Sequence, residues 1–128
     1  MKEISVQLVK VDYSVKNSFF KSNSAEVIEI RMAIIQLHIG ATKWEVESEL
    51  KKYGMRPAKY PELIAMKEFP ELEEEYTIFA SGSEITEGFF AGSCPYVKIK
   101  NGNVIKSDHN NFGNDLGRPY FAAVHEKR

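Results

Sequence analysis

Cysteine and histidine are the most chemically versatile side chains of this sequence, and it holds one cysteine and three histidines. Cys94, His38, His109 and His125 follow none of the spacings typical of zinc sites, such as C-x-x-C, H-x-x-x-H or H-E-x-x-H. The sequence therefore predicts no zinc site. A nucleophilic mechanism would need Cys94 beside His109 or His125, because a neighbouring base activates a thiol.

Short oxygen-bearing side chains crowd the segment from Ser107 to Arg118. Calcium prefers oxygen ligands of this kind, and the set comprises Asp108, Asn110, Asn111, Asn114 and Asp115. EF-hand spacing fails, because the fifth and twelfth positions counted from Asp108 are Phe112 and Pro119. We expect a metal-free loop in which Asn and Asp bind their own backbone, as in many turns. We expect no cofactor elsewhere.

Charge and composition bound the class of protein. The 128 residues carry 17 basic and 18 acidic side chains, interspersed along the chain, and the formal net charge is -1. A protein that binds nucleic acid through phosphates is usually basic, so we expect no nucleic-acid partner. The N-terminus lacks the apolar region of a secretory signal, and no apolar run is long enough to span a bilayer. One cysteine favours a reducing compartment, and we expect a cytoplasmic protein without membrane contact.

The elements that must position these residues follow from hydrophobic periodicity. Alternation predicts a first strand near the N-terminus, with a slip between Leu8 and Val9 that is typical of a bulge. It then predicts a long strand in the segment 26–40 whose second half is buried on both faces. Thr42 and Glu45 match a capping box, and Val46 and Leu50 follow at helical spacing. We therefore predict a helix from Thr42 to Tyr53, with Trp44 as a core anchor.

The second half of the chain contains shorter elements. Pro61 suits the first turn of a second helix, and Asn101-Gly102 predicts a type I′ hairpin. Strands are also expected in "YTIFASGS" and "YFAAVHEK". The order indicates an α+β fold with a mainly antiparallel sheet and two short helices. We interpret residues 1–128 as a single domain: N-terminal strands (1–40), a helical pair (41–75), then short strands and loops (76–128). Trp44, Leu50 and Leu63 are expected to be buried together.

The segment "YGMRPAKYPELIAM" joins the two helices. Pro57 and Pro61 stiffen it, and Arg56 is expected to reach a strand carbonyl or a carboxylate with its planar donor fork. Glu62 is expected to stabilise the start of the second helix. We interpret Arg56, Pro57, Glu62 and Leu63 as a structural motif.

The order of motifs in the second half resembles that of small bacterial C-type-lectin-like domains. Those domains carry a W-R-L-P-T-x-x-E-L turn, and Arg56, Glu62 and Leu63 keep the spacing of its R, E and L. Ser81 and Ser83 fall where the family has paired serines. The same segment is similar to short bacterial proteins with an R-P-A-T-x-x-E-L motif. The resemblance implies a C-type-lectin-like fold.

A second resemblance concerns the end of the chain. The segment "GNDLGRPYFAAVHEK" is similar to the W-N-D-to-final-strand segment of calcium-binding C-type lectins. That resemblance implies calcium ligands at Asn114 and Asp115. It stands as the alternative to the metal-free loop expected from the residues themselves.

The leading hypothesis from the sequence is a non-enzymatic binding or interaction module whose ligand or protein partner is unknown. Its contact surface would comprise the Gly-rich segment "SGSEITEGFFAGS" and the loop from Ser107, because binding residues concentrate on loops of a rigid sheet. The candidate contact residues are Phe89, Phe90, Asp108, His109, Asn110, Asn114 and Asp115. Phe89 and Phe90 either fill the core or form an exposed hot spot, and we expect the core. Two alternatives remain: a small enzyme that uses Cys94 or the Asp108/His109 cluster, and a phage or mobile-element protein that blocks a host complex.

Overall fold

The computed structural model describes residues 2–15, 19–20, 26–37, 42–112 and 119–126. These residues form a single α+β domain built on a seven-stranded sheet with two short helices. In chain order the elements are β1 (Lys2–Asp12), β2 (Val27–Gln36), α1 (Lys43–Lys52), β3 (Met55–Pro57), α2 (Tyr60–Ala65), β4 (Tyr76–Phe79), β5 (Cys94–Lys100), β6 (Asn103–Asn110) and β7 (Tyr120–His125). The short strand β3 had no counterpart in the sequence-based prediction.

The sheet is mainly antiparallel, as predicted. Its strand order is β1-β2-β7-β4-β5-β6, and β3 pairs with the far end of β7. The pairing of β4 with β7 is parallel. Strand β1 has a bulge between Glu3 and Ser5, whereas the sequence predicted a slip between Leu8 and Val9, where the pairing with β2 is continuous. The last strand, β7, therefore lies in the middle of the sheet, and β1 and β6 are the edge strands of the sheet.

The hairpin between β5 and β6 follows the predicted turn chemistry. Asn101 and Gly102 both have positive φ, 52° and 76°, which is the conformation that a type I′ turn needs at its two central residues. Because this turn is tight, β6 returns directly alongside β5 as far as the pairing of Asn110 with Cys94. The expected loop from Ser107 therefore begins later than predicted, since Asp108, His109 and Asn110 belong to a strand.

Each helix covers a different face of the sheet. Leu63 of α2 packs with Met32 and Ile34 on one side, which we call the α2 face. Val46 and Leu50 of α1 pack with the core residues of the other side, the α1 face, which include Ala33 and Ile35 of β2. The second half of β2 is thus buried on both faces, as its continuous apolar sequence predicted.

Helix α1 forms as predicted but presents a different face to the core. The capping box is present, because the Thr42 side chain accepts from the Glu45 amide and Glu45 reaches back to the Thr42 amide. Trp44 is 75% exposed, so its predicted role as a core anchor is wrong. It lies two positions from buried Val46, and residues two apart do not share a helix face.

The expected joint burial of Trp44, Leu50 and Leu63 is also wrong, since Leu50 and Leu63 are buried on opposite faces. Within the described residues, no helix is long and apolar enough to cross a membrane.

Candidate functional site

Aromatic rings from separate segments of the chain meet beside β6. We call this set the aromatic patch, and it comprises Phe19, Phe20, Tyr60, Phe89, Phe90 and His109. The imidazole of His109 lies 4.8 Å from the Phe19 ring and 5.0 Å from the Phe90 ring, centroid to centroid. These edge-to-face arrangements are favourable for aromatic pairs at such distances. His109 is thus the centre of the patch.

The rings differ sharply in exposure. Phe20 is 4% exposed and stacks on Tyr60 at 5.4 Å, so it anchors the patch to the core. Phe89 is 96% exposed, and Phe90 and Phe19 are 47% and 45% exposed. The expectation that Phe89 and Phe90 fill the core is therefore wrong. Of the neighbouring residues Phe19 and Phe20, Phe20 is the buried one.

Backbone hydrogen bonds in the Gly-rich segment explain why Phe89 points outward. The amide of Ile85 donates to the carbonyl of Ser93 at 2.9 Å, and the amide of Gly92 donates to the carbonyl of Ile85 at 2.8 Å. These bonds close the neck of a short excursion of the chain. Gly88 and Gly92 have φ of 83° and 91°, a conformation that costs other residues steric strain. Phe89 stands at the tip of this closed loop, away from the buried side chain of Ile85.

The same segment holds the start of α2 in place. The hydroxyl of Ser83 accepts from the amide of Tyr60 at 2.8 Å. Gly82 donates its amide to the carbonyl of Ala58 at 2.8 Å, and a Cβ atom at Gly82 would lie 2.6 Å from that oxygen. Only glycine allows so close an approach. Tyr60, and with it the ring of Phe20, is therefore fixed relative to the loop that carries Phe89.

The edge strand β6 places His109 on the same side of the sheet as α2. His109 pairs with Pro95, whereas the neighbouring pairs are Cys94 with Asn110 and Tyr96 with Asp108. Successive side chains of a strand point to opposite faces. Since Cys94 packs in the core of the α1 face, His109 points to the α2 face. The structure therefore joins the predicted contact residue His109 with Phe89 and Phe90 but directs Asp108 and Asn110 away from them.

The oxygen-rich segment is divided by the end of β6. The carboxylate of Asp108 accepts from the His109 amide at 2.8 Å, and the side chain of Asn110 accepts from the Asn111 amide at 2.8 Å. These contacts are of the local kind that the sequence predicted. Asn114 and Asp115 lie outside the described residues, as does His38. Among the residues that are described, no group of three or more His, Cys, Asp or Glu could hold a metal ion.

Among the described residues, no histidine lies beside Cys94. Cys94 is fully buried, and burial raises the pKa of its thiol to about 11, although the charge of Lys43 acts in the opposite direction. His109 lies on the other face of the sheet, and His125 contacts Glu3 at 3.1 Å. Within the described residues, Cys94 therefore lacks the neighbouring histidine that would activate it as a nucleophile.

A polar cluster surrounds the buried carboxylate of Glu62 in the first turn of α2. Arg56 donates from Nη1 to Oε1 at 3.0 Å and from Nη2 to Oε2 at 2.7 Å. The Tyr13 hydroxyl donates to Oε2 at 2.5 Å, and the Lys59 amide donates to Oε1 at 2.8 Å. The predicted carboxylate partner of Arg56 is therefore Glu62 itself. The Lys59 contact also supplies the predicted stabilisation of the helix start.

The pKa values in this cluster show that the charges compensate one another. Burial alone would raise the pKa of Glu62, but the hydrogen bonds from Arg56, Tyr13 and Lys59 outweigh it and the net pKa is lowered. Burial, together with the hydrogen bond to Glu62, raises the pKa of Tyr13 to about 12. Every acceptor direction of the carboxylate faces a donor. We find no vacant position for a ligand on Glu62.

Phe19, Phe20 and Tyr60 were not among the predicted contact residues. No local pattern marks them, because Tyr60 reads as the start of a helix and Phe19-Phe20 as a core pair. Comparison of the chain with protein-family models, with curated proteins and with solved structures finds no match. The function must therefore be argued from the geometry of the site.

Proposed function

We propose that this protein is a non-enzymatic interaction module that binds a protein partner through the aromatic patch. The observation that carries the proposal is the position of Phe89, which is 96% exposed at the tip of a closed loop. Burying a Phe side chain stabilises a complex by roughly 1.5–3 kcal/mol. Phe89 is also continuous with the exposed rings of Phe90 and Phe19, and a contiguous exposed apolar patch is typical of a contact surface.

The form of the patch indicates the shape of its partner. Phe89 projects, and Phe90 and Phe19 surround its base at about half exposure. Hot spots commonly consist of an anchor that fills a pocket, with apolar contacts around it that exclude water. We therefore propose a folded protein with a concave apolar pocket that accepts the Phe89 ring.

The loop is ordered for this contact before the partner binds. Its neck is closed by the hydrogen bonds between Ile85, Gly92 and Ser93, and His109 supports the ring of Phe90 from below. Side chains held in place lose less entropy on binding than mobile ones. The patch can therefore contribute more of its apolar contact energy to affinity.

Charged residues next to the patch would set the orientation of the partner. Glu87 and Lys59 are each exposed, and each lies within two residues of a ring of the patch. Their charges are mixed in sign. Such a rim changes specificity and the rate of association more than affinity, so we expect Phe89 to dominate the binding energy.

The scaffold is consistent with the C-type-lectin-like resemblance, which we retain as part of the proposal. Its support is the order β3, α2, β4, hairpin, β7, which follows the order of the motifs Arg56, Glu62-Leu63, the serine turn and the final strand. A fold of this kind carries many functions. The argument for binding therefore depends on the patch and not on the scaffold.

Site-specific photocrosslinking in the native host tests the proposal. Benzoylphenylalanine at position 89 should crosslink one discrete partner, whereas the same residue at position 53 should not. Tyr53 is a suitable control because it is also an exposed aromatic residue, 55% accessible, at the end of α1. Equal crosslinking from both positions would contradict the proposal.

The purified partner then allows a quantitative test. We expect Phe89→Ala to weaken its binding by roughly 30-fold or more, as for a hot-spot residue, and Tyr53→Ala to leave it unchanged. Both variants should unfold at the same urea concentration as the wild type. A partner that binds Phe89→Ala and wild type equally would refute the assignment of the patch.

A further inference from the structure

The edge strand β6 has unusual properties for a strand with one free side. It is eight residues long, and all of its residues except His109 are exposed. Val104 and Ile105 are 47% and 51% exposed. No described strand pairs with its outer side. Ile105 lies at a register shift in the pairing with β5 and forms a bulge. Beyond it, the residues from Lys106 to Asn110 offer backbone donors and acceptors to another strand, apart from the His109 amide, which donates to Asp108.

The charges of β6 are arranged for a particular partner. Lys106 lies opposite Lys98 of β5, and Lys98 already pairs with Glu75 at 3.6 Å. Among the described residues, Lys106 has no acidic partner. Asp108 is exposed two positions further along the strand, on the same face of the sheet. The edge therefore presents a cation, Lys106, before Ser107 and an anion, Asp108, after it.

We infer that β6 forms an antiparallel pair with β6 of a second copy of this chain, with Ser107 on the twofold axis. In this register Lys106 of each copy lies directly opposite Asp108 of the other. Identical edges that meet about a twofold axis give a closed dimer with the same contacts made twice. Opposite charges directly across a strand pair are favourable. In this register Asp108 of the second copy therefore compensates the charge of Lys106, which has only Lys98 opposite it on β5.

Other registers are less favourable. With the axis at Lys106, the Lys106 residues of the two chains would lie directly opposite each other. With the axis at Asp108, the two Asp108 residues would lie directly opposite each other. Like charges directly opposite destabilise a strand pair. The charge pattern therefore selects the axis at Ser107.

The dimer has a consequence for the aromatic patch, although it does not depend on the patch having a partner. A twofold axis between antiparallel neighbours is perpendicular to the sheet, so both α2 faces lie on the same side. The two His109 residues would be four positions apart along the strands, or roughly 14 Å. The dimer would therefore present two patches side by side.

Charge reversal tests the inference on the full chain. We expect sedimentation velocity to show reversible self-association of the wild type towards twice the 14.6 kDa chain mass. The expected concentration range is roughly 0.01–1 mM, because strand pairing alone buries less than a standard interface. Lys106→Asp and Asp108→Lys should each weaken the dimer by roughly tenfold or more, since each replaces two opposite-charge pairs with two like-charge pairs. The matched control Lys67→Asp, exposed and outside β6, should not.

Mixing the variants provides the decisive measurement. Lys106→Asp and Asp108→Lys together restore both opposite-charge pairs, but only between unlike chains. Native mass spectrometry of the mixture should show a heterodimer, and the double variant K106D/D108K should form a homodimer as the wild type does. A wild type that stays monomeric at 1 mM, or a mixture without heterodimer, would overturn the inference.

Discussion

Substitution of Arg56 by alanine gives the most informative test of the structure. Arg56 makes a two-bond contact with Glu62, whose side chain is fully buried, while the Arg56 side chain is 33% exposed. Removal of one partner of a buried ion pair typically costs about 3–5 kcal/mol, because the other charge stays buried without compensation. Tyr13 and the Lys59 amide still donate to Glu62 in the variant. We therefore expect a loss of about 2–4 kcal/mol in the free energy of unfolding at pH 7.

The loss should depend on pH in a defined direction. In the wild type the pKa of Glu62 is lowered from 4.5, so its contribution to stability is complete above that value and is lost as the pH falls through the lowered pKa. Without Arg56, burial dominates and the pKa of Glu62 rises. The folded variant can then take up a proton more easily, and its deficit relative to the wild type should shrink between pH 7 and pH 4.

Urea unfolding followed by far-ultraviolet circular dichroism is the suitable assay. The fluorescence of the single tryptophan would respond weakly, because Trp44 is already 75% exposed in the folded chain. Arg31→Ala serves as the control, since Arg31 is an exposed arginine of β2 and should change stability by less than about 0.5 kcal/mol. A deficit below about 1 kcal/mol, or one that is the same at pH 7 and pH 4, would refute the account of the cluster. Folded Arg56→Ala should still bind the partner.

Three further outcomes follow from the structure. Trp44→Ala should reduce the free energy of unfolding by less than about 1 kcal/mol, whereas Leu50→Ala on the buried face of the same helix should cost about 2–5 kcal/mol; similar losses in urea unfolding would contradict the orientation of α1. Cys94 should react with a disulfide reagent at pH 8 roughly 100-fold more slowly in the folded than in the unfolded chain, because the raised pKa of about 11 suppresses its thiolate and burial blocks access. Thermal unfolding in millimolar calcium and in chelator should coincide, because Asp108 and Asn110 bind neighbouring backbone amides; a higher midpoint with calcium would indicate a site and favour the lectin-like alternative.

The elements that the sequence predicted well are those with a local cause. The capping box of Thr42 and Glu45 and the Asn101-Gly102 turn each depend on residues within one short segment. The same holds for the contact between Glu62 and the start of α2. Local hydrogen bonding and backbone conformation decide these features, so they could be inferred without the fold.

The extent of β6 could not be inferred in the same way. Asp108, His109 and Asn110 have low strand propensity and read as a loop. They form a strand because β5 supplies partners along its whole length, because an edge position leaves Asp108 and Asn110 in water, and because His109 packs against Phe19 and Phe90. Strand propensity depends on this context, which the sequence does not contain.

The aromatic patch depends entirely on contacts between distant parts of the chain. Phe20, Tyr60, Phe90 and His109 meet only when β6 lies beside β5 and α2 packs on its face of the sheet. The sequence also could not decide whether Phe89 is buried or exposed, because the neighbouring glycines allow backbone conformations that direct the ring inward or outward. Of the predicted contact residues, Phe89, Phe90 and His109 lie together, and the aromatic residues that complete the patch could not be found by spacing.

The origin of the patch in separate segments has a consequence for how it can be recognised. A synthetic peptide that spans any one segment carries at most two of the six rings, so only the native chain presents the whole epitope. A partner that binds this surface binds the folded state alone, and at a free concentration 100 times its Kd it would stabilise that state by about 2.7 kcal/mol. Antibodies selected against the patch should likewise lose their reactivity on a denaturing blot. Such antibodies would be conformational probes that report the fraction of this protein that is folded in the cell.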